Sequence, residues 1–439
     1  MPLDWARPHG EHIELALARR PAERKREGVL LTNPGGPGGS GIEIVRSADD
    51  VFGSPVLDRF DIVSWDPRGV GASAPAECGD RLDYFYKVDR TGTGADATSA
   101  NLAASKRLVD ACKRASGHLL PYLSTRDTVR DMEAVRVAMR VPTINYLGFS
   151  YGTYLGALYA DRYPRHIRAM VLDGAVDPAA PYNGGVVRQA VGFERALEAF
   201  LAWCRDNRDC RFARGGDPTA AYNALMESLG AESDPGTVHG EKRDLGIGEA
   251  AIGVAAALYN GEGSHGWVAL GTARNDAARG DGSGLLALSD SYTGREKGGS
   301  YNNLTAAFYA IGCIDAPAPR DAAAVRALAA RAARAAPHFG GLTVWLGLPC
   351  TLWPVRAVDA PAPVHAAAAP PIVVVGNTDD PATPYSDAEA LTNELRTAHL
   401  LTFVGGGHTE YGRGSDCIDN AVDDYLVSLA VPAPGKRCE

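Results

Sequence analysis

Over the first 175 or so residues, compact apolar runs alternate with positions at helical spacing. Val29, Leu30 and Leu31, then Ile62 and Val63, then Tyr146 and Leu147 form short runs bounded by glycine, proline or aspartate, as in strands buried on both faces. They predict strands over 28–32, 60–65 and 143–147. Val129, Met132 and Val135 predict a helix over about 127–139, and residues 154–160 predict a packed helix that stops before Pro164. The run 166–173 predicts a further strand. Strands and helices alternating in this way predict an α/β fold with a doubly wound, mostly parallel sheet.

The pattern changes near residue 180. Phe193, Leu197, Phe200, Leu201 and Cys204 fall at helical spacing, glycine- and aspartate-rich turns punctuate 275–300, and the alanine–arginine stretch 320–336 has strong helix propensity. A mainly helical insertion is expected here. The Pro/Ala-rich segment that begins at Asp359 and ends at Pro371 reads as the linker back to the sheet, with strands at 372–375 and 399–404. The expected division is a first core part over 1–178, a helical cap over 179–360 and a second core part over 361–439. A chain of 439 residues exceeds what one hydrophobic core usually serves, which agrees with an inserted cap.

Charge and cysteine content narrow the class. The chain carries 44 Lys and Arg against 53 Asp and Glu, a net charge of −9, with no basic block, which argues against nucleic-acid binding. No apolar run approaches the roughly 20 residues that cross a bilayer. Met1-Pro2-Leu3-Asp4-Trp5 does not read as an export signal, so the expectation is the mature part of a secreted, soluble protein. The eight cysteines form no C-x-x-C unit, and an even count suggests disulfides. Sequential pairing is the simplest arrangement: Cys78 with Cys112, Cys204 with Cys210, Cys313 with Cys350, and Cys417 with Cys438. Buried free thiols in a cytosolic enzyme are the alternative.

The candidate chemistry centres on Gly148-Phe149-Ser150-Tyr151-Gly152, which joins a predicted strand to a predicted helix. A serine on so sharp a turn is strained and needs small residues two positions away on either side. Its hydroxyl also needs a base, and the base an orienting acid. Asp380 follows the strand at 372–375 and is favoured over the adjacent Asp379, because Pro381 and the turn after it fix its direction. His408 follows the strand at 399–404 in a glycine-rich loop. The order Ser150, Asp380, His408 is that of α/β-hydrolases. Negative charge developing on a tetrahedral intermediate needs preorganised donors, for which the N–H groups of Tyr151 and of Gly36, in the glycine-rich loop 33–41, are the candidates. That loop lacks the G-K-[ST] of a phosphate-binding loop, and no metal-ligand spacing or cofactor fingerprint is present, so no cofactor or metal is expected.

With these motifs, and with Trp65-Asp66-Pro67-Arg68-Gly69-Val70-Gly71 and Val171-Leu172-Asp173-Gly174-Ala175-Val176-Asp177-Pro178, the chain resembles the tripeptidyl aminopeptidases secreted by actinomycetes. These are relatives of the proline iminopeptidases within the α/β-hydrolases. The resemblance implies an exopeptidase that releases short peptides, typically tripeptides, from a free N-terminus beneath a helical cap. It also admits the alternative of a carboxylesterase or amidase acting on small esters or natural products. A peptidase of this kind needs an acidic partner for the substrate ammonium, and Asp315, beside Cys313, and Glu194, on the first cap helix, are the two candidates. Peptides with a free N-terminus are the expected partners of what is expected to be a monomer.

Overall fold

The computed structural model describes residues 1–207, 210, 212, 216–263, 265–358 and 360–439; Asp359, where the linker was expected to begin, lies outside the described residues. Ten strands occur among the described residues: β1 (Leu17–Arg20), β2 (Gly28–Asn33), β3 (Phe60–Trp65), β4 (Ile144–Phe149), β5 (Ile167–Asp173), β6 (Asp234–Val238), β7 (Glu241–Leu245), β8 (Ile372–Asp379), β9 (Ala398–Gly406) and β10 (Arg437–Cys438). Eight of them form one sheet in the order β1-β3-β2-β4-β5-β8-β9-β10, in which only the β1–β3 pair is antiparallel. The sheet has the mostly parallel, doubly wound layout that the apolar runs predict.

Alternation across the pleat explains why those runs are apolar throughout. Val29, Leu31, Tyr146, Leu172 and Val374 point to one face, against Val129, Met132 and Val135 of the helix Thr125–Ala138 and Leu155 of the helix Tyr151–Arg162. Leu30, Leu147, Val171, Val373 and Val375 point to the other, against Ile44 and Val45 and against Ile418, Val422 and Leu426 of the C-terminal helix Asp416–Ser428. Each such side chain contributes about 1.5–3 kcal/mol when fully buried. Register then places the carboxyl ends of β2, β4 and β5 level, with β8 running on beyond them: Asn33 pairs with Gly148, Phe149 with Asp173, and Asp173 with Val375. Loops leaving these ends open into the crevice where ligands bind in sheets of this type.

Between β5 and β8 the chain is mainly helical, as expected, with one two-stranded hairpin of β6 and β7. That hairpin was not anticipated. The cap layer also recruits chain from outside the predicted insertion. Phe85, Leu108, Cys112 and Leu120, from the segment between β3 and β4, share one hydrophobic cluster with Phe193, Leu258, Tyr309 and Ile314 of the insertion. The long helix Ala95–Ser116 therefore packs with the cap, although it falls within the first core part by sequence. All eight cysteines are paired sequentially, Cys78–Cys112, Cys204–Cys210, Cys313–Cys350 and Cys417–Cys438.

The Asp66-Pro67-Arg68-Gly69 turn holds the N-terminal segment to the core. Arg68 is fully buried; its guanidinium donates to both oxygens of Asp131 at 2.7 Å and to the carbonyls of Leu3 and Tyr122 at 2.9 and 2.8 Å. Trp5 Nε1 donates to the same carboxylate at 3.0 Å. Removing one partner of such a pair strands the other charge in the interior. Asp131→Ala is expected to lower the unfolding free energy by about 3–5 kcal/mol, read from denaturant midpoints.

Candidate active site

Ser150 stands between β4 and the helix Tyr151–Arg162 with φ 56° and ψ −125°, a conformation that L-residues rarely adopt. The glycines at either side are required by contact. A Cβ at Gly152 would lie 2.6 Å from the Asn33 carbonyl oxygen, and one at Gly148 would collide with the Gly152 carbonyl. The Ser150 N–H donates to the Asp173 carbonyl at 2.8 Å, which ties the turn to the neighbouring strand.

Asp380 lies one residue past β8 and His408 two past β9. His408 Nδ1 lies 2.9 and 3.0 Å from the two Asp380 carboxylate oxygens, and both residues are buried. Asp380 Oδ1 also accepts the N–H groups of Ala382 and Thr383 at 2.8 and 2.9 Å. The Thr383 hydroxyl donates to Asp380 Oδ2 at 3.0 Å and lies 3.2 Å from His408 Nδ1. With four donors on one carboxylate, Nδ1 carries the proton and Nε2 is left as the basic nitrogen. Nε2 is buried and has no hydrogen-bond partner among the described residues. Asp379, the alternative acid, is exposed.

The loop after β2 closes over the serine turn. Gly35 has φ 89°, and a Cβ there would lie 2.9 Å from Ser150 Cβ and collide with the Phe149 carbonyl, so only glycine permits the approach. The Gly35 N–H is taken by Asn33 Oδ1 at 2.9 Å, whereas the Gly36 N–H has no partner among the described residues. Tyr151 opens its helix, where an N–H has no intrahelical acceptor. Two donors are thus left free around Ser150, the arrangement a developing oxyanion requires.

A cavity of about 620 Å³ joins these groups to the cap. Gly36, Ser150, Tyr151 and His408 line its core side, and Tyr259, Phe308 and Asp315 are among the cap residues. Residues 28–214 match the family described as alpha/beta hydrolase fold, and residues 336–438 match TAP-like protein. Serine protease Hip1 of Mycobacterium tuberculosis is 37% identical across all of this chain and 86% of its own length. Carboxylesterase B of the same organism is also 37% identical, over 85% of its length, and tripeptidyl aminopeptidase of Streptomyces lividans is 30% identical, over 82%. The chain belongs to the TAP-like family of α/β-hydrolases. It is a serine hydrolase with serine peptidase relatives.

In this TAP-like hydrolase the two acids expected at the substrate amine separate. Asp315 lines the cavity at the last residue of the helix Leu304–Asp315. It accepts the Thr125 N–H at 2.8 Å and the Thr125 hydroxyl, which also bonds the Tyr151 hydroxyl. Burial pushes its carboxyl up to about 7, and among the described residues no cation contributes to its ionisation. Glu194 does not line the cavity. Its carboxylate accepts His338 Nδ1 at 2.6 Å and the N–H groups of His338 and Phe339 at 3.0 and 3.3 Å, so it braces the cap interior instead.

Sequence reasoning did not assign Thr383 or Asn377, whose Nδ2 donates to the Gly407 and Thr409 carbonyls at 3.0 and 3.1 Å and so brackets His408. Both sit beside Asp380, and their polar side chains at a strand end were the available signal. Gly35→Ala is expected to cut turnover by about a hundredfold, because the donor loop must shift, while far-ultraviolet circular dichroism stays unchanged.

Proposed function

We propose that the protein is a secreted serine exopeptidase that releases short peptides, typically tripeptides, from the free N-terminus of its substrates. In this reading Ser150 is the nucleophile. His408 Nε2 takes the hydroxyl proton as Oγ attacks the scissile carbonyl, and Asp380 holds the ring and stabilises the imidazolium. The N–H groups of Gly36 and Tyr151 meet the oxyanion, a donor of this kind being worth about 2.7–4 kcal/mol. Collapse of the intermediate breaks the C–N bond, and the imidazolium proton goes to the departing amine. Water, deprotonated by the same imidazole, then cleaves the acyl-enzyme on Ser150.

The observation that carries the choice of a peptide is Asp315. It is a cavity-lining carboxyl at a helix C-terminus, where the backbone dipole also favours a positive charge. Of the other two lining aspartates, Asp387 accepts Arg188 Nε at 2.8 Å, and Asp177 lies 3.7 Å from Arg188 Nη2. No Lys or Arg lines the cavity among the described residues. A substrate ammonium is the complement that Asp315 lacks. Its position, reached from Ser150 through the Tyr151 side chain and Thr125, supports selection of the scissile bond by the length of the acyl part. Four disulfides support secretion, since such bridges persist in oxidising compartments.

Ser150→Ala is expected to abolish turnover with the thermal midpoint nearly unchanged; appreciable residual activity would exclude Ser150. Release from Ala-Ala-Pro amide is expected to require a free N-terminus, and Asp315→Asn is expected to raise KM for it at least about tenfold. Hydrolysis of a p-nitrophenyl ester should be little affected by the same substitution. Indifference to N-acetylation would favour the esterase. KM should be lowest between about pH 7, above which Asp315 is ionised, and about pH 8, above which a peptide α-amine loses its proton. It should rise as pH falls through 7, and Asp315→Asn should flatten that limb.

A further inference from the structure

We propose that Asp173 is a positioning residue that fixes the His408 loop to the Ser150 turn. The inference rests on the proposed roles of Ser150 and His408. Asp173 ends β5, is fully buried and lies outside the acid–base pair of Asp380 and His408. Its two polar groups act in different directions. The main-chain carbonyl accepts the Ser150 N–H at 2.8 Å. The carboxylate accepts the Glu410 N–H at 3.0 and 3.2 Å and the Tyr411 N–H at 2.9 Å. One residue therefore holds both the segment that presents the nucleophile and the segment that follows the base.

The histidine loop needs such a hold. Thr409, between His408 and Glu410, has φ 67°, an uncommon conformation for a β-branched residue that persists only when its surroundings enforce it. Two charge-assisted bonds immediately after it supply that enforcement. The next residue, Gly174, has φ 69°, and a Cβ there would lie 3.2 Å from His408 Cε1, so the backbone of the same corner abuts the imidazole. His408, Glu410 and Arg413 are the ionisable groups that bear on the Asp173 carboxyl. Burial pushes Asp173 up to about 6, which leaves it ionised at neutral pH. Burial and the Asp173 charge push Glu410 up to about 8, so the pair carries close to one negative charge there.

The test compares the parent enzyme with Asp173→Asn, which sets an NH2 donor against the Glu410 N–H in place of Oδ1 and removes the charge from the two bonds that Oδ2 accepts, and with Glu410→Ala, which keeps the backbone donors. Active-site titration with a fluorophosphonate first gives the competent fraction, and kcat is expressed per competent site. Asp173→Asn is expected to lower that kcat, and the rate of Ser150 labelling, by about ten- to a hundredfold, with KM for a free-amine tripeptide amide within twofold. Glu410→Ala is expected to leave both rates within about threefold of the parent. If Asp173→Asn does not accumulate as folded protein, Asp173→Ser, whose shorter side chain sets its oxygen back from both N–H groups, is expected to give a loss at least as large. A per-site kcat within twofold of the parent in the Asp173 variant obtained would overturn the positioning role, as would a loss confined to the competent fraction. Absence of Ser150 labelling in the parent would instead overturn the nucleophile assignment, a distinguishable result.

Discussion

A serine held with φ 56° can present its hydroxyl above a sheet only where backbone, and not side chain, fills the space around it. That constraint organises the centre of this molecule. Gly148 and Gly152 clear the two flanks, Gly35 lets the donor loop lie against Ser150 Cβ, and the Asp173 carbonyl caps the Ser150 N–H. Strain of about 1–3 kcal/mol at one residue persists because the surrounding structure over-determines it. Here the surroundings are four adjacent parallel strands, each largely buried on both faces. The apolar runs of the core and the strained turn are thus one arrangement. The strands supply the rigidity, and the turn uses it to place the Ser150 hydroxyl.

The cap bears directly on the loops that carry the chemistry. The His408 N–H donates to the Tyr259 carbonyl at 2.8 Å, and the Tyr259 ring meets the imidazole edge-on with centroids 5.1 Å apart. A Cβ at Gly261 would lie 2.9 Å from the Gly406 carbonyl oxygen, so the cap turn and the histidine loop touch backbone to backbone. On the opposite side, a Cβ at Gly38 would lie 2.9 Å from the Leu304 carbonyl, which seats the donor loop on the helix that ends in Asp315. The same helix therefore supports the glycine-rich loop at its start and carries the cavity acid at its end. In the proposed reading, one helix bears on both substrate length and the site of attack.

Much of this was legible in the sequence, for physical reasons that differ by residue. The strands β2, β3, β4, β5 and β8 announce themselves because burial on both faces favours apolar side chains, the half-buried β9 through the shorter apolar run at Leu400 and Leu401, and Gly148 and Gly152 because a Cβ would collide. Asp380 and His408 follow from strand ends and chain order. The rest depends on contacts distant in sequence. The helix Ala95–Ser116 reads as part of the core until Leu108 and Cys112 are seen against the cap cluster. Edge strand β1 is half-exposed and the β6–β7 hairpin is largely polar, so neither carries a strong apolar signature. In the sequence, Asp315 beside Cys313 and Glu194 on the first cap helix are equally eligible acids. Only packing shows that His338 occupies one and that the other faces the cavity.

The equal identity to a serine protease and to a carboxylesterase has a physical meaning. Acyl transfer to serine places the same demands on acid, base and oxyanion donors whichever leaving group departs, so these parts do not discriminate between an amide and an ester. Discrimination belongs to the groups that contact the acyl portion. A neutral ester offers no charge to a buried carboxylate, and filling the cavity with it would remove water from ionised Asp315 without replacing the lost solvation. A peptide ammonium supplies both a charge and up to three donors to an acid whose carboxyl burial has already pushed up to about 7. The same substrate would draw Asp315 into its ionised form on binding. The gain is then largest for the substrate that places its amine there while its carbonyl reaches Ser150, which makes chain length a condition of binding.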